Sequence, residues 1–246
     1  LEFRRVLFRS TELVARYGPL PEERVIHIIR QVCGSLGEAH GLGLIHRDIK
    51  PGNIFVADRG GVPDTVKVLD FGLVRHFGPN ASDANLPEFV GEAGIVGTPN
   101  FIAPESIQDP DAADARSDIY SVGVLAYYML TGRFLFEGET IAEVCRRHLH
   151  DVPPTPGERV GKSFDPQLES VVMRCLAKDP AERPQSAAEL DAARSERLEQ
   201  RIAVLERISD ETGLAVHDLR LVEEFRIDLG FDLRAAHLKH VQEAGV

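Results

Sequence analysis

The segment His46-Arg47-Asp48-Ile49-Lys50-Pro51-Gly52-Asn53 places a carboxylate, an ammonium group and a carboxamide within eight residues. Asp48 can accept the proton of a hydroxyl nucleophile, Lys50 can neutralise a phosphate oxygen, and Asn53 can offer its amide oxygen to a hard cation. Phosphoryl transfer from ATP asks for these groups, because it depends on positioning and charge stabilisation more than on covalent chemistry. A second magnesium ligand must come from another part of the chain. Asp70-Phe71-Gly72 supplies it directly after the β-branched run Val66-Lys67-Val68-Leu69, and Gly72 gives the backbone the freedom that a switch loop needs.

Local elements must hold these groups in place. Upstream, Val25, Ile28, Ile29, Val32, Leu36 and Ala39 recur at helical spacing, with Pro21 read as the first helical residue and Glu22 and Glu23 at the positive helix end. Ile54-Phe55-Val56 and Val66 to Leu69 flank a stretch rich in turn formers, which predicts a β-hairpin over 54–69. From Arg116 to Leu130 the sequence is apolar nearly all round, the signature of a helix in the centre of a domain. Further helices are predicted over 140–148 and 165–177 and from about Ser186, with a proline-rich turn at 153–156 between the first two. Residues 76–97 read as a long functional loop. The fold class that emerges is mainly α with a small β-hairpin.

The ordered set of motifs resembles the protein-kinase signature: the catalytic loop 46–53, then Asp70-Phe71-Gly72, then Ala103-Pro104-Glu105. Lys50, two residues after Asp48, matches the serine/threonine pattern. The wording GLIHRDIKPGNIFV, RSDIYSVGVLAYYMLTGRFLF and RCLAKDPAERPQSAAEL is similar to the bacterial, eukaryotic-like (Hanks-type) branch. A lone Asp-Phe-Gly is a weak signal; the ordered set is specific. The resemblance, from about Thr11 to Ala193, implies a protein-kinase-like fold, ATP and magnesium as cofactors, and protein substrates with serine or threonine acceptors. It implies Asp48, Lys50 and Thr98 as catalytic residues, with Asn53 and Asp70 as magnesium ligands. It further implies that His46 packs beneath the Phe71-Gly72 turn, that Glu105 pairs with Arg183, and that Asp118 accepts bonds from the catalytic-loop backbone.

Arg47 of that family meets a phosphorylated residue, and here the sequence departs from the pattern. Between Asp70 and Glu105 the only hydroxyl residues are Ser82 and Thr98. Either Glu88 or Glu92 substitutes for phosphate, or Ser82 is the switch. The glycine-rich loop, strand lysine and helix glutamate of the family's small lobe do not occur before His46. The expectation is therefore a C-terminal lobe only, inactive without its N-terminal lobe.

The net charge of -11 among 246 residues disfavours a nucleic-acid partner. No apolar run is long enough to span a membrane. Three scattered cysteines, Cys33, Cys145 and Cys175, give neither a disulfide framework nor a zinc knuckle and fit a reducing, cytoplasmic setting. Residues 1–10, LEFRRVLFRS, resemble the translation of a sequencing-library adapter and are set aside as non-native. Residues 11–193 form the kinase-like domain. Residues 194–246 carry two apolar stripes and read as a helical extension, with docking or dimerisation as an alternative to a solvated face. His148 and His150, two apart, read as a solvated helix terminus rather than a metal pair. Asp228-Leu229-Gly230 lacks the preceding strand of a metal-binding turn. The competing reading for the whole is a pseudokinase or scaffold, against which the joint presence of Asp48, Lys50, Asn53 and Asp70 weighs.

Overall fold

The computed structural model describes residues 7–59, 62–70, 75–76 and 99–190. The chain divides into two compact units, Leu1–Arg194 and Ser195–Val246, and all described residues lie in the first. Its axis is helix α4 (Ala115–Thr131), in which every residue from Ser117 to Thr131 is buried. The Asp114 carboxylate caps the helix by accepting from the Arg116 amide at 2.7 Å. Gly132, in the left-handed region at φ 67°, closes it.

Helix α2 (Glu22–Gly41) packs its buried stripe, Val25, Ile28, Val32 and Leu36, against α4. Each such side chain removed from water contributes roughly 1.5–3 kcal/mol, so the pair is the main anchor of the domain. Pro21 proves to be the N-cap, with an extended ψ of 147°, and Glu22 is the first helical residue. The Pro21 carbonyl accepts the first helical bond, from the Val25 amide at 3.0 Å, and Glu22 and Glu23 still occupy the first turn beside the helix's positive end.

The predicted hairpin forms as β3 (Ile54–Arg59) and β4 (Val62–Val68), so the strands run further into the turn than their composition suggests. The register is irregular between Ala57 and Arg59, where a bulge lets the turn-forming residues stay in the ladder. A third strand, β1 (Leu7–Arg9), pairs antiparallel with β3 and gives the order β1-β3-β4. These residues lie within the segment read as adapter-derived; backbone pairing makes few demands on side chains, so sequence pattern gave no sign of it. Helix α1 (Ser10–Tyr17) follows at once, and the buried Ser10 hydroxyl donates to the Pro51 carbonyl at 2.8 Å. A second pair, β2 (Leu44–Ile45) with β5 (Arg75–His76), completes the strands described.

Helix α3 (Pro104–Gln108) precedes α4, and α5 (Ile141–His150) and α7 (Pro166–Cys175) follow it with Thr140 and Asp165 as caps. Between them the proline-rich stretch forms a short helix, α6 (Pro156–Val160), because Thr155 and Glu158 make a reciprocal capping box. The chain is helical again over 187–190, where the Ser186 hydroxyl accepts from the Glu189 amide.

Helices α4 and α7 approach closely at Gly123. A Cβ added there lies 2.6 Å from Cys175 Cβ and 3.3 Å from Leu176 Cδ2. Both atoms belong to a packed helix end, so Gly123→Ala forces the helices apart. The expected loss is about 1–3 kcal/mol, read as a lower urea midpoint. Cys175→Ala does not rescue it, because the Cβ remains; a rescue would refute this contact.

Candidate active site

The loop 46–53 leaves β2 and ends in a 3-10 turn, Pro51–Asn53, that feeds β3. Arg47 is in the left-handed region at φ 66°, a conformation that a side chain of its kind adopts only under constraint. Asp118, 1 % exposed on α4, supplies the constraint. Its Oδ2 accepts from the His46 amide and its Oδ1 from the Arg47 amide, both at 2.8 Å. His40 Nε2, at the end of α2, donates to the same Oδ2 at 2.8 Å. Two backbone amides and an imidazole thus hold a buried carboxylate that would otherwise be costly.

His46, fully buried, joins this loop to the end of β4. Its Nδ1 accepts from the Asp48 amide at 3.2 Å, so the ring proton sits on Nε2, which donates to the Leu69 carbonyl at 3.0 Å. The Leu69 amide in turn donates to the Asn53 carbonyl at 2.9 Å. Asp70 therefore begins at a residue fixed from both sides, and it is itself exposed and left-handed, at φ 61°.

Three site residues converge on one oxygen. Lys50 Nζ lies 2.6 Å from Asp48 Oδ2, and Asn53 Nδ2 donates to that same oxygen at 2.9 Å. Asn53 Nδ2 also donates to the Asp48 carbonyl at 2.9 Å. The Asn53 amide nitrogen thereby orients Asp48, which leaves its Oδ1 as the acceptor for a cation. Joined by the Asp70 carboxylate, as the family pattern implies, it would make an all-oxygen donor set of one amide and one carboxylate. Such a set suits magnesium, which keeps waters and phosphate oxygens in its shell, and does not suit zinc. No cluster of three or more His, Cys, Asp or Glu occurs among the described residues.

Behind the loop, Arg183 is wholly enclosed. It donates to Glu105 Oε1 at 2.7 Å and Oε2 at 2.8 Å, and to the carbonyls of Ala177, Arg116 and Lys178. Ser117 Oγ adds a bond to Glu105 Oε1 at 2.6 Å. Burial raises the Glu105 carboxyl, but the hydrogen bonds and charge of Arg183, with Ser117, hold it below its ordinary range. Arg47 donates to the Pro110 carbonyl at 3.1 Å. Phe71, Gly72, Ser82, Glu88, Glu92 and Thr98 lie outside the described residues, as does the 194–246 extension.

Sequence reading missed His40 and Ser117, and it misplaced His148. His40 follows the last apolar residue of the α2 stripe, a position that reads as solvated. His148 is fully buried rather than solvated, with Tyr120 Oη 2.8 Å from its Nδ1 and the Phe136 ring 5.1 Å away. The aromatic side chains of α4 and of the loop before α5 fold over what looked like a helix terminus. His150 alone is exposed there. Burial, then the charge of Lys178, push the His148 pKa down from 6.5 to about 4, against a weaker pull from the Asn100 backbone.

The sign of the resulting pH dependence follows. Above pH 6.5 the ring is neutral folded or unfolded, and its contribution to stability is complete. As pH falls from 6.5 towards 4 only the unfolded chain takes up the proton, so stability is lost, by on the order of 3 kcal/mol over the whole window. Urea unfolding at pH 7 and pH 5 should show a shallower decline for His148→Gln than for the unsubstituted chain. Parallel declines would assign the acid loss to other groups.

Residues 6–193 match the protein kinase domain family. The chain is 40 % identical over 191 residues to serine/threonine-protein kinase pkn3 of Myxococcus xanthus, covering 76 % of this chain and 34 % of that protein. Serine/threonine-protein kinase Pkn1 of the same organism is 38 % identical over 228 residues, 89 % of this chain and 32 % of that one. Serine/threonine-protein kinase PknB of Mycobacterium leprae is 37 % identical over 182 residues, 74 % of this chain and 27 % of that one. The chain thus spans about a third of the length of the curated relatives it matches.

Proposed function

The chain belongs to the protein kinase family, and from that premise we propose that it serves the transfer of the γ-phosphoryl group of ATP to serine and threonine hydroxyls of other proteins. The observation that carries this reading is the convergence of Lys50 Nζ and Asn53 Nδ2 on Asp48 Oδ2, with Leu69, the residue before the exposed Asp70, bonded to Asn53 and His46. In this reading Asp48 orients the acceptor hydroxyl and takes its proton. Lys50, 29 % exposed, swings between Asp48 and the transferred phosphoryl group, where it neutralises charge. Asn53 Oδ1 and the Asp70 carboxylate hold magnesium, which when bound neutralises the phosphates of the nucleotide. Thr98, carried over from the family pattern, is assigned to the recognition of serine and threonine acceptors. Arg47 reads an acidic or phosphorylated residue of the 76–97 segment. Relatives named as serine/threonine-protein kinases support the choice of acceptor.

No described helix is long and apolar enough to cross a membrane. Against a scaffold role, the Asp48 carboxylate and Lys50 cation that the chemistry requires are present and bonded to each other. The test is a phosphotransfer assay on the intact protein with γ-labelled ATP, magnesium and a general protein acceptor, followed by phosphoamino-acid analysis. Label in phosphoserine and phosphothreonine, lost with Asp70→Asn, is the expected result. Nucleotide binding without any transfer would move the reading to the scaffold.

A further inference from the structure

Helix α2 reaches the open edge of β4, the strand whose last residue, Val68, lies two positions before Asp70. In the sheet order β1-β3-β4 one edge of β4 pairs with β3, and the other has no strand neighbour among the described residues. That open edge is occupied by two α2 side chains. Gln31 stands in for a neighbouring strand: its Nε2 donates to the Asp64 carbonyl at 2.8 Å, and its Oε1 accepts from the Val66 amide at 2.9 Å. The Val66 amide can only donate, so the amide orientation is fixed, and the second Nε2 proton is directed at His27 Nε2, 3.0 Å away. About two turns earlier, Arg24 grips the Asp64 carboxylate through both Nε and Nη2, each at 2.8 Å. Asp64 itself is held left-handed at φ 52°.

This latch sits where the sheet is least determined. The β3–β4 register is irregular between Ala57 and Arg59, next to the latch, and regular from Thr65 to Val68. A bulge can migrate along a hairpin, and a one-residue slip moves every later residue of the strand and exchanges its faces. Gln31 bonds one carbonyl and one amide of β4 by residue, so it selects a single register from the α2 side. Four residues after Val66 the chain reaches Asp70, through the Leu69 bonds to Asn53 and His46 already described.

We infer that Arg24 and Gln31 are positioning residues for the magnesium ligand Asp70, acting through the register of β4. This rests on the proposed function. They touch neither Asp48 nor Lys50, so their loss should leave the turnover step alone and weaken the hold on the cation.

The experiment measures magnesium binding to the nucleotide-bound intact protein by isothermal titration, and phosphotransfer against magnesium concentration at saturating ATP, for Gln31→Leu, Arg24→Lys and the control Glu22→Gln. Glu22, also on α2, accepts from the Asp165 amide at 2.9 Å and braces the helix away from the sheet. Gln31→Leu should raise the half-saturating magnesium concentration about tenfold, in the manner of outer-shell substitutions, with kcat at saturation changed less than twofold. Arg24→Lys keeps one of the two contacts to Asp64 and should give a smaller rise. Glu22→Gln should lower the melting temperature and leave magnesium half-saturation unchanged. Equal half-saturation in all four proteins, with only stability altered, overturns the positioning role. If Gln31→Leu does not fold, an unshifted Arg24→Lys overturns it alone. Absence of transfer by the unsubstituted protein instead strikes at the proposed function, which keeps the two failures distinct.

Discussion

Asp48→Asn should lower phosphoryl transfer by about 10²–10⁴-fold, the usual contribution of a positioned general base, while the protein stays folded. The substitution keeps the shape of the side chain and removes its charge and basicity. The loop is held from elsewhere: Asp118 bonds the His46 and Arg47 amides, and His46 bonds the Asp48 amide. None of these anchors needs the Asp48 carboxylate. What is lost is the acceptor of the substrate proton and the partner that holds Lys50 Nζ at 2.6 Å. Steady-state kinetics and a thermal melt on the same preparation check both halves. A tenfold loss or less, with normal melting, would place the base elsewhere.

The largest effect on stability should come from Arg183→Met. Arg183 has no exposed side-chain surface, and every N–H bonds inward, to both Glu105 oxygens and to three carbonyls. Removing the guanidinium leaves the Glu105 carboxylate in a low-dielectric site with Ser117 and its own backbone amide to oppose its burial. Breaking one side of such a pair costs about 3–5 kcal/mol, and for a domain of this size each kcal/mol lowers the melting temperature by about 2–4 °C. A drop of roughly 10 °C is expected. Arg183→Met with Glu105→Leu removes both charges together and should recover part of the loss, since the stranded carboxylate is gone. A double variant no better than the sum of the singles would show that the carbonyl bonds, not the ion pair, dominate. The pair joins the start of α3 to the segment before 187–190, so its loss should also loosen the wall that follows Thr98.

The groups that perform chemistry were legible because they are close in the chain. Asp48, Lys50 and Asn53 lie within six residues, and a turn built on Pro51 and Gly52 can hardly avoid bringing them together. Helical periodicity likewise made α2 readable, because the apolar spacing that shows in sequence is what packs it inward, and the near-continuous apolar run made α4 readable as a central helix. Cap chemistry was readable in principle at Thr155 and Glu158, yet the prolines around them suggested a turn. A proline at a first helical position starts a helix as readily as it interrupts one.

Contacts between distant residues followed other rules. Asp118 reaches His46 across 72 positions and Glu105 reaches Arg183 across 78; only likeness to a family suggested these partners, and no local pattern does. His40 and His148 share the composition of solvated helix ends, and both are enclosed because another element happens to lie over them. Gln31 reads as a polar residue on the outer face of α2, and only the path of β4 makes it a strand substitute. Sequence by itself determined the type of chemistry, the helical elements and the hairpin, all of which depend on neighbours in the chain. Tertiary structure alone decided which polar groups are buried and which strand edge is covered, because burial and pairing depend on what closes over a residue from far along the chain.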